Sequence, residues 1–271
     1  MSSPREEPAD LRSRLAANLR WMFTELPFEA RFAAAAEAGF AAVEYPAPYA
    51  YPAPELVRRL ADAGLRQALV NSPMGAAGTP TERGSACVPG ARQEFRQSIE
   101  SALEYATALD CGIVHVVAGL RPADVSWERA FAEYVENIAW AAEFSAGTDV
   151  TLVLEAQNST DVPGFLVRTQ DQTAAVVEAI GADNVRLLFD VYHVQMEQGN
   201  VSDAFARLRP LVAHIQIADA PGRHQPGAGE LNWRRIFPLI ASTGYRGWIG
   251  CEYAPQPDTA SSLGWITEAM R

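Results

Sequence analysis

At 271 residues the chain is longer than most single domains, yet α/β barrels run near this length as one unit. Its 48% hydrophobic and 20% charged content excludes a disordered chain and supports a sizeable core. A formal net charge of −11 argues against partners that need a basic face, nucleic acid and anionic lipid, although one local arginine still admits a small anion. All 22 basic residues are arginine, and the missing lysine excludes Schiff-base aldolases, pyridoxal-phosphate enzymes and P-loop NTPases.

Residues 1–15 read as a flexible N-terminal extension; residues 1–10 carry Ser, Pro and Glu rather than the basic and apolar regions of a signal peptide. From residue 16 onward, short β-rich apolar runs alternate with amphipathic stretches. The runs fall at 16–22, 41–45, 65–71, 112–118, 150–155, 185–190, 211–218 and 247–252. Helices are predicted between them near 28–38, 54–63, 91–109, 126–145, 169–180, 201–208, 232–242 and 259–270. Gly39, Gly64 and Gly244 supply helix stops before the next run. An open doubly wound sheet shares much of this rhythm, but eight units favour closure, so 16–271 is read as a single (β/α)8 TIM barrel of the α/β class. Two irregular segments, 72–90 after strand three and 219–230 after strand seven, fall on the C-terminal rim, where barrels place active sites. No apolar stretch approaches the roughly 20 residues that cross a bilayer. Cys87, Cys111 and Cys251 are too scattered for a zinc knuckle or disulfide framework, and a cytoplasmic location fits.

Four consecutive strands, five to eight, end in Glu155, Asp190, Gln216 and Glu252. One acidic residue after an apolar run is more often a turn former or N-cap. Four in a row on one rim can converge, and three carboxylates brought together call for a cation. An all-oxygen shell favours Mg²⁺ or Mn²⁺ over Zn²⁺. His193, three residues after Asp190, reads either as a donor near that rim or as a structural residue. His214, two before Gln216, reads as a hydrogen-bonded core histidine, and His115 as part of the barrel floor. Glu44, ending strand two on the opposite arc, is a candidate for binding substrate, with a turn or an arginine pair as the plainer reading. Arg223, in the loop after strand seven, is placed to clamp a carboxylate, or is a solvated charge.

At these residues the chain resembles the hydroxypyruvate isomerase and 2-oxo-tetronate isomerase family of xylose-isomerase-like barrels, from Ala17 to Trp265. The resemblance is carried by Glu82-Arg83-Gly84-Ser85-Ala86-Cys87-Val88-Pro89-Gly90, Asp161-Val162-Pro163-Gly164-Phe165, Asp190-Val191-Tyr192-His193 with Gln195, His214-Ile215-Gln216-Ile217-Ala218-Asp219, and Gly247-Trp248-Ile249-Gly250-Cys251-Glu252-Tyr253. It implies a metal on Glu155, Asp190, Gln216 and Glu252, with Glu155 and Glu252 also the acid/base pair, and a pocket shaped by Arg223 and Glu230. Three positions depart from the family: Ala156 where proline is usual, Gln225 where glutamate is usual, and Ala254 where lysine is usual.

The expected activity is isomerisation of a small hydroxy-keto acid or sugar through an enediolate, with a metal stabilising charge on oxygen and two glutamates moving the proton. No G-x-G-x-x-G run points to a redox cofactor. A ketose epimerase using the same pair and a non-catalytic sugar-acid-binding barrel are the alternatives, and a homo-oligomer stays open. With only four histidines and no basic stripe, a multi-zinc endonuclease is disfavoured.

Overall fold

A computed structural model describes residues 10–268. Eight parallel strands close into one barrel in sequence order: β1 (Leu15–Asn18), β2 (Ala42–Glu44), β3 (Arg66–Asn71), β4 (Ile113–His115), β5 (Thr151–Glu155), β6 (Val185–Asp190), β7 (Val212–Ile217) and β8 (Ile249–Cys251). Closure is made by β1, which pairs with β2 on one side and β8 on the other. The outer ring holds α1 (Phe28–Glu37), α2 (Ala53–Ala63), α3 (Arg92–Ala108), α4 (Trp127–Ser145), α5 (Gln170–Ile180), α6 (Val191–Glu197), α7 (Val201–Leu208), α8 (Trp233–Ser242) and two short turns, α9 (Thr259–Ser262) and α10 (Trp265–Glu268).

Local chemistry sets several of these boundaries. Ser126 caps α4 by accepting from the Arg129 N–H, and α5 opens with a capping box in which Thr169 and Gln172 satisfy each other's backbone N–H groups. The main core lies between barrel and helices, where Phe32, Leu56, Phe95, Ile138 and Phe189 are almost wholly buried. Two smaller apolar clusters stand apart from it: Ala16, Ala42 and Ala68, and Leu69, Val153 and Leu188. Because strand side chains alternate, Asn18, Glu44, Glu155 and Asp190 share a face with Ala16, Ala42, Val153 and Leu188, two residues earlier in each strand.

The structure differs from the sequence reading at several edges. β1 begins at Leu15 and ends at Asn18 rather than running to 22, because the chain turns there, Trp21 and Met22 both donating N–H to the Asn18 carbonyl. Of the expected extension, 1–9 lie outside the described residues, while Leu11 and Leu15 are buried in the core. β4 stops at His115, three residues before the end of its apolar run. Helix α6 was not expected; it has seven residues, too few for helical periodicity to register. The single helix expected at 259–270 is instead α9 and α10, with 269–271 outside the described residues.

Candidate active site

A cavity of about 110 Å³ opens at the C-terminal rim of the barrel. Glu155, Gln216 and Glu252 line it from strands β5, β7 and the end of β8, joined by His115, His193 and Arg223. Asp190 sits just behind, 1% exposed, paired in register with Gln216, which in turn faces Gly250. Three of the four strand-end residues thus line one cavity, and the fourth stands behind it.

Their charges meet one guanidinium. Arg223 Nη2 lies 3.0 Å from Glu252 Oε2 and 3.5 Å from Asp190 Oδ2. Its guanidinium is sandwiched between Trp21 and Tyr192, with ring centroids 5.0 and 5.1 Å away. Burial and the neighbouring Glu252 and Asp190 charges push the Glu155 carboxyl well above the usual carboxylate range, against a hydrogen bond of 2.5 Å from Gln157 Nε2. Burial pushes Asp190 up to about 7, with Arg223 pulling down and Glu252 pushing further up. Glu252 is raised by burial too, and Arg223 and the indole N–H of Trp21, 3.3 Å from Oε1, counter it. Burial works against the Arg223 charge, but Glu252, Asp190 and Glu155 hold that side chain protonated. Three carboxylates share one guanidinium in a desolvated pocket, so they hold protons more tightly than usual, and an oxygen-rich donor set of this kind fits a hard divalent cation that would take the protons' place.

Among the described residues, one ligand atom each from Glu155, Asp190 and His193 lie within 4.8 Å of one another. The histidine's hydrogen bonds qualify that grouping. His193 Nδ1 accepts the Asn158 backbone N–H at 3.2 Å and lies 2.7 Å from Asn158 Nδ2. The Asn158 amide is oriented as a donor there, because its oxygen accepts from the N–H groups of Thr160 and Asp161. Burial, followed by Arg223 and His115, holds the His193 pKa well below the usual value, so the ring is neutral. Two donors from Asn158 on Nδ1 outweigh the longer 3.5 Å contact of Arg223 Nη1 with Nε2, so the proton sits on Nε2, which faces Asp190 at 3.7 Å and Glu155 at 3.9 Å. In that tautomer His193 offers a donor to the cavity rather than a lone pair to a metal.

Glu44 does not reach the substrate cavity. It is 0% exposed and accepts three hydrogen bonds beneath the site, from Asn18 Nδ2 at 3.0 Å, Gln216 Nε2 at 2.8 Å and His214 Nε2 at 2.8 Å. Its carboxylate fills the space beside Gly250, where an added Cβ would lie 2.3 Å from Glu44 Oε1. His214 is thus the hydrogen-bonded core histidine its position predicts. Because Gln216 spends its N–H₂ on Glu44, its carbonyl oxygen is left as the group available to the cavity.

A family model for xylose isomerase-like TIM barrels matches residues 32–269. The chain belongs to this family. It is 46% identical to the 2-oxo-tetronate isomerase of Cupriavidus necator over 93% of its length and 97% of that protein. It is 39% identical to the hydroxypyruvate isomerase of Escherichia coli, over 93% of this chain and 98% of that one. A crystal structure from Brucella melitensis, described as an AP endonuclease of family 2, superposes with a TM-score of 0.90 at 39% identity, covering 94% and 98% of the two chains.

Other expected residues of this xylose isomerase-like barrel fall into place unevenly. Glu230 is exposed, does not line the cavity and, among the described residues, accepts one long hydrogen bond, 3.4 Å from Gln195 Nε2. Arg223 is not a solvated loop charge; its side chain is 15% exposed. Gln225 lies outside the cavity and binds the backbone of Gln256, and the Ala254 N–H donates to the Arg223 carbonyl at 2.7 Å. His115, assigned to the floor by its apolar run, lines the cavity with Nε2 3.6 Å from Glu155 Oε2 because β4 ends there. Burial, then His214, lowers its pKa to about 3, so it too is neutral. Gln157, Trp21, Arg20 and Arg83 also line the cavity. Of these, Gln157 carried a signal in the sequence, as a polar residue two positions beyond a strand-end glutamate.

Proposed function

We propose that the protein is an isomerase of a small hydroxy-keto acid, of the class named for its relatives, with Glu155 and Glu252 as the acid/base pair. The observation that carries this is the pair itself: a buried Glu155 and a partly buried Glu252 on one cavity, both with raised pKa, each held by its own donor, Gln157 and Trp21. Raised carboxyl pKa values bring proton exchange closer to neutral pH. One carboxylate takes a proton from the hydroxyl-bearing carbon and the other returns one to the former carbonyl carbon. The hydroxyl proton passes to the other oxygen, so the carbonyl moves by one position with no net loss of atoms. His193 Nε2–H supplies a neutral donor to the substrate oxygens during the transfer, and Arg223 offsets negative charge.

Glu155, Asp190, Gln216 and Glu252 are the residues we assign to a divalent cation, Mg²⁺ or Mn²⁺, because all four offer oxygen and His193 Nε2 carries a proton. Such an ion, when bound, stabilises the negative charge that develops on the substrate oxygens. Three free, buried cysteines agree with a reducing, cytoplasmic setting. No helix among the described residues is long and apolar enough to cross a membrane.

The test is proton NMR of hydroxypyruvate and 2-oxo-tetronate with the enzyme in heavy water, with Mg²⁺ or Mn²⁺ added. Carbonyl migration with deuterium incorporated at carbon is expected. Inversion of one centre without migration would identify an epimerase instead, and binding without turnover a non-catalytic barrel.

A further inference from the structure

The cavity rim carries two further arginines besides Arg223. Arg20, just past β1, and Arg83, in the segment after β3, both line the active-site cavity. Both also line an adjoining groove of about 510 Å³ that runs outward past Pro46, Tyr49 and Met74. Arg223, the cation expected to clamp an acid substrate, is engaged by Glu252 and Asp190. By contrast, no ion pair of Arg20 or Arg83 is found among the described residues. The acidic neighbour of Arg83 is itself occupied, since Glu82 Oε2 accepts the Gly78 N–H at 2.8 Å.

The backbone that presents Arg83 is anchored. Gly84 has φ +112° and packs on the strand-four exit so closely that a Cβ would lie 2.4 Å from the Val117 carbonyl oxygen. A Cβ on Gly119 would lie 2.4 Å from the Gly84 oxygen in turn. Cys87 N–H donates to the Ala118 carbonyl at 2.9 Å and closes the clasp. Two facing glycines therefore let this segment lie directly on the barrel rim, so that the backbone carrying Arg83 is fixed at the cavity edge.

We infer that Arg83 and Arg20 form an anion subsite that takes the substrate carboxylate and directs the hydroxy-carbonyl end toward Glu155 and Glu252. The inference rests on the isomerase reading and deepens it: the substrate is a short acid whose carboxylate meets Arg83 and Arg20 while its hydroxy-carbonyl end meets the glutamates. Arginine forks suit a carboxylate better than a lysine's point charge.

The test uses the full chain in EDTA, so that no cation contributes, with D-glycerate and glycerol as probes in calorimetric titrations. Wild type is expected to prefer D-glycerate, Arg83→Ala to weaken that preference by about tenfold or more, and Arg83→Lys to restore part of it. Arg20→Ala should act in the same direction. Thermal melts check that the variants fold, as both side chains belong to exposed residues. If wild type shows no preference for D-glycerate, or Arg83→Ala leaves it unchanged, the subsite is wrong. Arg83-dependent binding in a protein that isomerises no hydroxy-keto acid would instead overturn the isomerase reading and leave the subsite standing.

Discussion

Gln216 gives its amide N–H to Glu44 Oε1 at 2.8 Å, and this one bond turns the Gln216 carbonyl oxygen toward the cavity. A glutamine can present either end of its amide. Glu44, whose carboxylate oxygens accept and do not donate, decides which.

Glu44→Gln should therefore weaken Mn²⁺ binding by about tenfold or more, the usual scale for a residue that orients a ligand, because the new amide no longer dictates the Gln216 flip. Electron paramagnetic resonance titration of Mn²⁺ reads this directly, and an unchanged affinity would remove Glu44 from the positioning role. Glu44→Ala should go further, costing about 3–5 kcal/mol of folding stability by stranding the donors of Asn18, Gln216 and His214 in a dry interior.

Asp190 makes a prediction about pH. Its folded-state pKa is about 7 against an ordinary 3.8. Between those values the folded protein holds a proton that the unfolded chain has released, so this group's contribution to stability is full at low pH and is lost as pH rises through about 7. Asp190→Asn keeps the oxygen that caps α6 through the N–H groups of Tyr192 and His193, at 2.8 and 3.3 Å, but removes the charge. In EDTA, the variant should gain melting temperature relative to wild type at about pH 8 and little at about pH 5. Equal differences at both pH values would contradict the buried-charge account. The same substitution should weaken Mn²⁺ binding.

Glu155→Gln and Glu252→Gln preserve shape while removing the base, and each should lower kcat by about 10²–10⁴-fold, the worth of a positioned acid/base group. Stopped assays at saturating hydroxypyruvate and Mn²⁺ measure it. A variant that retains full kcat takes its residue out of the proton transfer.

Arg223 is fixed by two carboxylates and two aromatic faces, so its loss should be felt in more than substrate affinity. Arg223→Ala should lower kcat as well as raise KM, because Asp190 and Glu252 then face each other without a countercharge. Arg223→Lys keeps charge but loses the planar stack and should recover only part of kcat. An effect confined to KM would favour the simple carboxylate clamp read from the sequence.

Repeating apolar runs and helix stops sufficed to read the eight-unit barrel, because strand and helix periodicities are local properties of the chain. The strand-end rule placed Glu155, Asp190, Gln216 and Glu252 on one rim for the same reason: parallel strands carry their ends to the same side. Composition excluded lysine chemistry outright. What a run of apolar residues does not encode is where a strand stops, since outward-facing residues beyond the last ladder bond are buried as well. That misread β1 and β4, and with them the reach of Trp21 and His115. Partners far apart in the chain were equally invisible. Glu44 and Gln216 stand 172 residues apart, Arg223 and Glu252 29. Only closure of the ring, with Gly250 leaving room for a carboxylate, sent Glu44 beneath the site and left Arg83 and Arg20 facing it.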